Sequence, residues 1–460
     1  MPTPAHLQYE KRLAAGKARR ESCSRTLQAQ CLLSPQRDVV DMLRQTSAGR
    51  VPSLIPLRYS RMQASPFAFF RGMAMIQAAD LAATPNSGIT LQTCGDAHLM
   101  NYGFFASPER QLMFDINDFD ETHQAPWEWD IKRLAVSVVL AARNRGFSNA
   151  AARQAVCQLV GTYRKRMQEY AQMSQLELWY CKVGFEQLLQ RANSDSIRQQ
   201  LLKLADKARG QTQEKLLPKM TVLEDGSLRL RDNPPVIFHM QQQDQVWGND
   251  EHWLGDGSSH DLLHTMLAEY SATLKEDRRT LLSRFRLVDA AFKVVGVGSV
   301  GTRCLVMLLQ DEYDQPLFLQ LKEARNSVLE PYTQPCVHGH QGKRVVFGQR
   351  LMQAASDLFL GWTTGPGDRH FYVRQLRDMK AAPALESFDS AESLAAFGQA
   401  CAWALARAHA KSGGRAAEMA GYIGQSDKFD QAIASYAMSY ADQVELDFAV
   451  FTAALAEHKL

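Results

Sequence analysis

Residues 94–121 read CGDAHLMNYGFFASPERQLMFDINDFDE, which has the apolar, β-rich pattern of a buried hairpin yet carries Asp96, Asp115, Asp118 and Asp120 with His98 and Asn101. Ionised carboxylates are costly to take out of water without a partner. This segment therefore constrains the fold more than any other: a cation, a basic ligand or solvent must lie against it.

Several classes are excluded by composition. The 460 residues exceed one ordinary domain, so two or three sub-domains are expected. Fifty-two basic against 49 acidic side chains leave a net charge of +3, which predicts no nucleic-acid partner. Eight scattered cysteines without a C-x-x-C pair fit reduced thiols and a cytoplasmic location. The apolar run 134–142 is far shorter than the ~20 residues of a spanning helix, so no membrane is expected. Lys11, Arg12, Lys17, Arg19 and Arg20 precede no apolar h-region and read as a solvated helical arm rather than a signal peptide.

Five regions follow from the patterning. Residues 1–90 form an N-terminal helical region that includes a Ser-Pro start at Ser65. Residues 91–210 hold two apolar runs, 89–96 and 110–118, which flank the loop from Asp96 to Asn101, then a helix from Pro126 to a glycine cap at Gly146 and further helices. Residues 211–285 read as a connector, with a hairpin turning at Asp225 and Gly226, a loop-rich stretch over 248–259 and a helix. Residues 286–380 are β-rich, and 381–460 helical.

The β-rich region contains G-x-G-x-x-G at Gly296, Gly298 and Gly301, a pattern that brings backbone N–H groups close to phosphate. The following run TRCLVMLL suits a strand, QDEYDQP a turn, and LFLQLK a second strand ending in Lys322. A strand, glycine loop and strand with one lysine in an apolar run is the arrangement of a kinase-like ATP lobe. A helix and two strands then complete it. Two other readings stay open. TRCLVMLL as a helix, with Asp311 or Glu312 near a ribose, would make a dinucleotide site; Lys322 on an edge strand would merely reach for water.

CGDAHLMN resembles the catalytic loop H-G-D-x-H-x-x-N of the aminoglycoside-phosphotransferase-like kinases at every marked position except the first, where Cys94 replaces histidine. The resemblance implies an α+β, kinase-like bilobal fold that binds ATP and Mg²⁺ and transfers phosphate to a hydroxyl or amine acceptor. Asp96 would be the base, Asn101 and Asp118 metal ligands, and Asp130, twelve positions after Asp118, a brace for the loop. Strand alternation puts Asp120 on the side of Asp118, as a second metal ligand, and Asp115 on the other. Cys94 and His98 would support the loop, and His98 and His123 read as hydrogen-bonding rather than metal-binding. Gly296, Gly298, Ser299, Gly301 and Lys322 would contact the nucleotide.

Asp96 precedes Gly296 by about 200 residues, the reverse of the usual kinase order, so the implied fold is circularly permuted, with 211–285 as the joining segment. Residues 400–414 resemble the helix that precedes the catalytic loop in kinases. Blocks such as SPFAFFRG, FDINDFDE, PWEWDIKRLA and LARAHAKSG also make nearly the whole chain similar to a bacterial family catalogued as domain of unknown function 2252.

The helix after Lys322 lacks the usual glutamate, leaving Gln349, Gln353, Asp357 or Glu330 as the lysine's partner. A nucleotide-binding pseudokinase or regulator is one alternative. A metallohydrolase with two metals on Asp96, His98, Asp115, Asp118 and Asp120 is another. Arg71 and Arg374 read as salt-bridge partners before substrate contacts. The acceptor and the oligomeric state are not legible.

Overall fold

The computed structural model describes residues 4–239, 259–294, 296–376 and 379–460, so most of the loop-rich stretch 248–259 lies outside the described residues. The fold is mixed α+β, helix-rich, with small antiparallel sheets.

The acidic segment is bounded by four short strands, β1 (Thr90–Thr93), β2 (Tyr102–Ala106), β3 (Leu112–Ile116) and β4 (His123–Pro126). The runs flanking the loop do not pair with each other. β1 pairs with β4, and β2 with β3, so each run has a separate partner. Helix Glu128–Asn144 follows, and Gly146 past its end has φ of 75°. This helix and helices Asn149–Ala171, Ala391–Gly413 and Lys428–Ala456 build the largest core.

Farther along, β5 (Thr221–Glu224) and β6 (Ser227–Leu230) make the hairpin at Asp225 and Gly226. β7 (Ile237–Phe238), β8 (Arg286–Lys293), β9 (Cys304–Gln310), β10 (Pro316–Glu323), β11 (Gly361–Gly365) and β12 (Arg369–Gln375) form one antiparallel sheet, ordered β11-β12-β10-β9-β8-β7. The expected helix over 259–285 is two, Ser259–Ala272 and Glu276–Leu282. Residues 304–310 are a strand, so the glycine loop joins two antiparallel strands and precedes no α-helix; the dinucleotide arrangement is not formed. β10 is an interior strand and the Lys322 side chain keeps 3% of its surface exposed, which overturns the edge-strand reading.

Both faces of this sheet are covered, so its central strands are apolar throughout rather than alternating. Leu305, Met307, Leu319 and Leu321 enter one core; Val306, Leu308 and Phe318 enter the other. Side chains alternate along a strand, so Gln320 and Lys322 share the face of Phe318, opposite Arg374 and Tyr372 of β12. Phe318 is capped by apolar neighbours, whereas Lys322 opens onto a cleft.

The basic N-terminus is a helix with Lys11, Arg12 and Lys17 exposed, as expected of a solvated arm, but its other face is packed. Helix Pro4–Ala18 packs on helix Ala416–Ile423 so closely that a Cβ on Gly16 would lie 1.9 Å from the Glu418 carbonyl oxygen. Two of its charges reach backbone oxygens: Arg12 donates to Gly414 (3.0 Å) and Arg20 to Tyr422 (2.9 Å). No helix among the described residues is long and apolar enough to cross a membrane.

Candidate functional site

A cleft of about 890 Å³ lies between the sheet and the acidic segment, and its lining includes Asp96, His98, Asn101, Asp118, Asp120, Gly296, Gly298, Ser299 and Lys322. These come from two segments roughly 200 residues apart. Gly301 stands beside it with φ of 84°, against Arg50. Cys94 and Asp130 lie beneath the loop.

Asp130 holds that loop from below. Its carboxylate accepts the backbone N–H groups of Cys94 (2.7 Å) and Gly95 (2.9 Å) and meets His409 Nε2 at 3.1 Å. Gly95 has φ of 84°, and a Cβ there would lie 2.1 Å from the Glu121 carbonyl oxygen, so the turn requires glycine. The Cys94 thiol, pushed well above its ordinary pKa by burial and then by Asp130, stays protonated and donates to the Asp118 carbonyl (3.4 Å). His98 Nδ1 accepts the Met100 N–H (3.2 Å), and burial lowers the ring to about 3. His123 Nε2 contacts the Gln334 carbonyl oxygen at 2.8 Å.

Asp96 accepts from Arg133 Nε (2.6 Å), and Asn101 donates its amide to the Asp96 carbonyl (2.6 Å). Beyond β3, Asp118 and Asp120 sit in a loop rather than on a strand, so alternation is not what aligns them. They share one side because Lys322 pairs with both, at 3.3 Å from Asp118. Tyr372 (2.8 Å) and Ser299 (3.2 Å) also donate to Asp120. Burial would raise Asp118, but Lys322 and Arg374 outweigh it and hold it below the usual carboxylate range; burial and the Asp118 charge raise Asp120. Two carboxylates that are 31% and 26% open and share one ammonium leave capacity for a further cation. Among the described residues no three His, Cys, Asp or Glu side chains gather to hold a metal alone. Magnesium commonly needs only one or two carboxylates when phosphate oxygens complete its shell.

Asp115 points away, into a buried pair with Arg407 at 2.8 Å, so the five-ligand set of a metallohydrolase is not assembled. Arg374 donates to Gln320 Oε1 (3.1 Å) and the Asn117 carbonyl (3.1 Å), and Arg71 has a buried Nε without a partner. Among the described residues neither makes the expected salt bridge, the nearby carboxylates being engaged by Lys322 and Arg133. Gln349 donates to Gln353, Gln353 to the Ile116 carbonyl, Asp357 accepts the Gln375 N–H and Glu330 that of Cys336. None of these bonds involves Lys322.

The patterning missed Arg133, His409 and Glu121. The first two lie within PWEWDIKRLA and LARAHAKSG, but their partners are remote in sequence. Burial raises Glu121 from 4.5 to about 7, against the lowering effect of the Val328 N–H it accepts. A folded pKa above the unfolded one contributes stability that is present below about 4.5 and lost as pH rises through about 7. Glu121→Gln should therefore lose less thermal midpoint between pH 5 and 8 than the wild type; equal losses would show that Glu121 titrates normally.

No curated protein and no solved structure matches the chain. Residues 50–454 do match a family model described as an uncharacterized protein conserved in bacteria, DUF2252, and with so much of its length covered the chain belongs to that family.

Proposed function

We propose that the protein is an ATP- and Mg²⁺-dependent phosphotransferase with a kinase-like, bilobal and circularly permuted fold. The observation that carries this reading is the ion pair of Lys322, from the glycine-loop sheet, with Asp118 and Asp120, from the loop segment. The order β8, glycine loop, β9, turn, β10, helix Gln341–Met352, β11, β12 supports it. So does the end of helix Ala391–Gly413 beside β1, where Ser412 Oγ donates to the Gln92 carbonyl (3.0 Å). A chain cut elsewhere would run from that helix into the catalytic loop.

In this reading Asp118, Asp120 and Asn101 hold the metal and Lys322 with the glycine loop the nucleotide, which when bound supplies the phosphoryl group. The protein contributes position and charge. Asp96 accepts the acceptor's proton, aimed by Arg133, while Asp130 keeps the loop rigid from below. Among the described residues no helix carboxylate pairs with Lys322, which favours a second reading, a nucleotide-binding regulator without turnover.

Thermal midpoints with ATP, Mg²⁺ and both test the proposal. A ligand at 100 times its Kd stabilises by about 2.7 kcal/mol. The shift should require both components and vanish in Asp118→Ala and Lys322→Ala. A shift with metal alone that Lys322→Ala retains would defeat the reading; binding without ADP formation would favour the regulator.

A further inference from the structure

One wall of the cleft is lined by Arg50, Arg58, Arg71 and Arg325. The neighbouring carboxylates are engaged elsewhere: Asp118 and Asp120 by Lys322, Asp96 by Arg133, and Glu323 by Arg303 (3.1 Å) and Arg369 (3.8 Å). Among the described residues, Arg50, Arg58 and Arg325 donate only to uncharged oxygens. Arg50 reaches the carbonyls of Thr46 (2.8 Å) and Val300 (2.6 Å), and Arg325 that of Ala48 (2.7 Å). Arg58 reaches Ser47 Oγ (3.1 Å) and the Gly72 carbonyl (3.0 Å). The Nε groups of Arg58 and Arg71 are buried with no partner at all.

Such an arrangement is electrostatically incomplete. Burial, followed by the charges of Arg58 and Arg325, lowers Arg50 to about 9, and burial lowers Arg58 to about 10. Both still carry their protons at neutral pH, so a wall of guanidinium groups faces the cleft with Asp96, Glu121 and Glu323 acting on it only at longer range and, among the described residues, no carboxylate in a salt bridge with it. The wall is also tied to the loop aspartate. Arg71 lies within electrostatic range of Asp96, and Arg133 joins Asp96 to the Phe70 carbonyl (3.0 Å), clamping helix Pro66–Gly72 beside it.

We propose that the acceptor bears an anionic group, a phosphate or a carboxylate, which Arg58 and Arg71 hold so that its hydroxyl or amine reaches Asp96. This rests on the phosphotransfer reading and narrows its substrate class. Guanidinium forks match planar and tetrahedral oxyanions through paired N–H donors. The nucleotide phosphates are assigned to Lys322, so the wall is available to a second ligand.

Inorganic phosphate and acetate serve as probes, at ionic strength held constant with chloride. Thermal midpoints are read with and without a non-hydrolysable ATP analogue and Mg²⁺. One probe should raise the midpoint whether or not the nucleotide is present, and which one does identifies the anion class. Arg71→Met should abolish that shift while keeping the nucleotide shift, Arg71→Lys should restore part of it, and Lys322→Ala should show the reverse pattern. Arg71→Met carries the test if Arg58→Met fails to fold. The proposal is overturned if neither probe shifts the midpoint, if the shift survives Arg71→Met, or if it disappears once the nucleotide is bound, which would assign the wall to nucleotide phosphates. An anion shift in a wild type that shows no nucleotide shift would instead bring down the phosphotransfer reading beneath it.

Discussion

Arg407→Met is expected to destabilise the protein by about 3–5 kcal/mol, the cost of removing one partner of a buried ion pair. Arg407 and Asp115 keep 0% and 1% of their side-chain surface exposed. One guanidinium nitrogen donates to both Asp115 oxygens (3.0 and 2.8 Å) and to the Met352 carbonyl (2.6 Å). The second Asp115 oxygen also accepts the Ala354 N–H (2.9 Å). The pair thus fastens β3, helix Gln341–Met352 and helix Ala391–Gly413 at one point beneath the cleft. Methionine fills similar volume but leaves the carboxylate charge alone in the core. Arg407→Met with Asp115→Asn should recover most of the lost thermal midpoint, because the stranded charge is gone. A double variant no more stable than the single one would show that the loss comes from packing.

Asp96→Asn should lower the rate of phosphate transfer by roughly 10²–10⁴-fold, the usual contribution of a positioned general base. Asparagine can still accept from Arg133 Nε, now 2.6 Å from Asp96, so the loop should keep its shape. The nucleotide shift in thermal midpoint should therefore persist while ADP formation falls, with kcat rather than KM carrying the change. Full activity in Asp96→Asn would remove Asp96 from its proposed role.

Local pattern made much of this legible. Apolar runs with turn residues between them marked β8 to β10, and a lysine inside such a run pointed to Lys322. The resemblance of CGDAHLMN to a kinase catalytic loop singled out Asp96 and Asn101, and the same resemblance pointed to Asp130, whose carboxylate accepts the N–H groups of Cys94 and Gly95. Pairing was less legible. The two runs around the loop stand out in the sequence, but their partners β2 and β4 do not, because hydrogen-bond partners in a sheet are chosen by tertiary packing. Alternation suggested where Asp120 would face, whereas an ion pair with Lys322 placed it. The helical arm reads as solvated, which holds for its exposed face; what local pattern does not show is that Gly16 admits a neighbouring helix and that Arg12 and Arg20 reach the carbonyl oxygens of Gly414 and Tyr422.

By itself the sequence determined which residues could carry charge into a core and which short segments would be strand, helix or glycine loop, since these depend on side-chain periodicity and backbone freedom within a few residues. Only the tertiary structure decided which carboxylate meets which cation. Asp115 and Asp118 are three positions apart, yet one is neutralised by Arg407 in the core and the other faces Lys322 in the cleft. The physical reason is that Coulomb energy and desolvation depend on distance and burial, not on sequence separation.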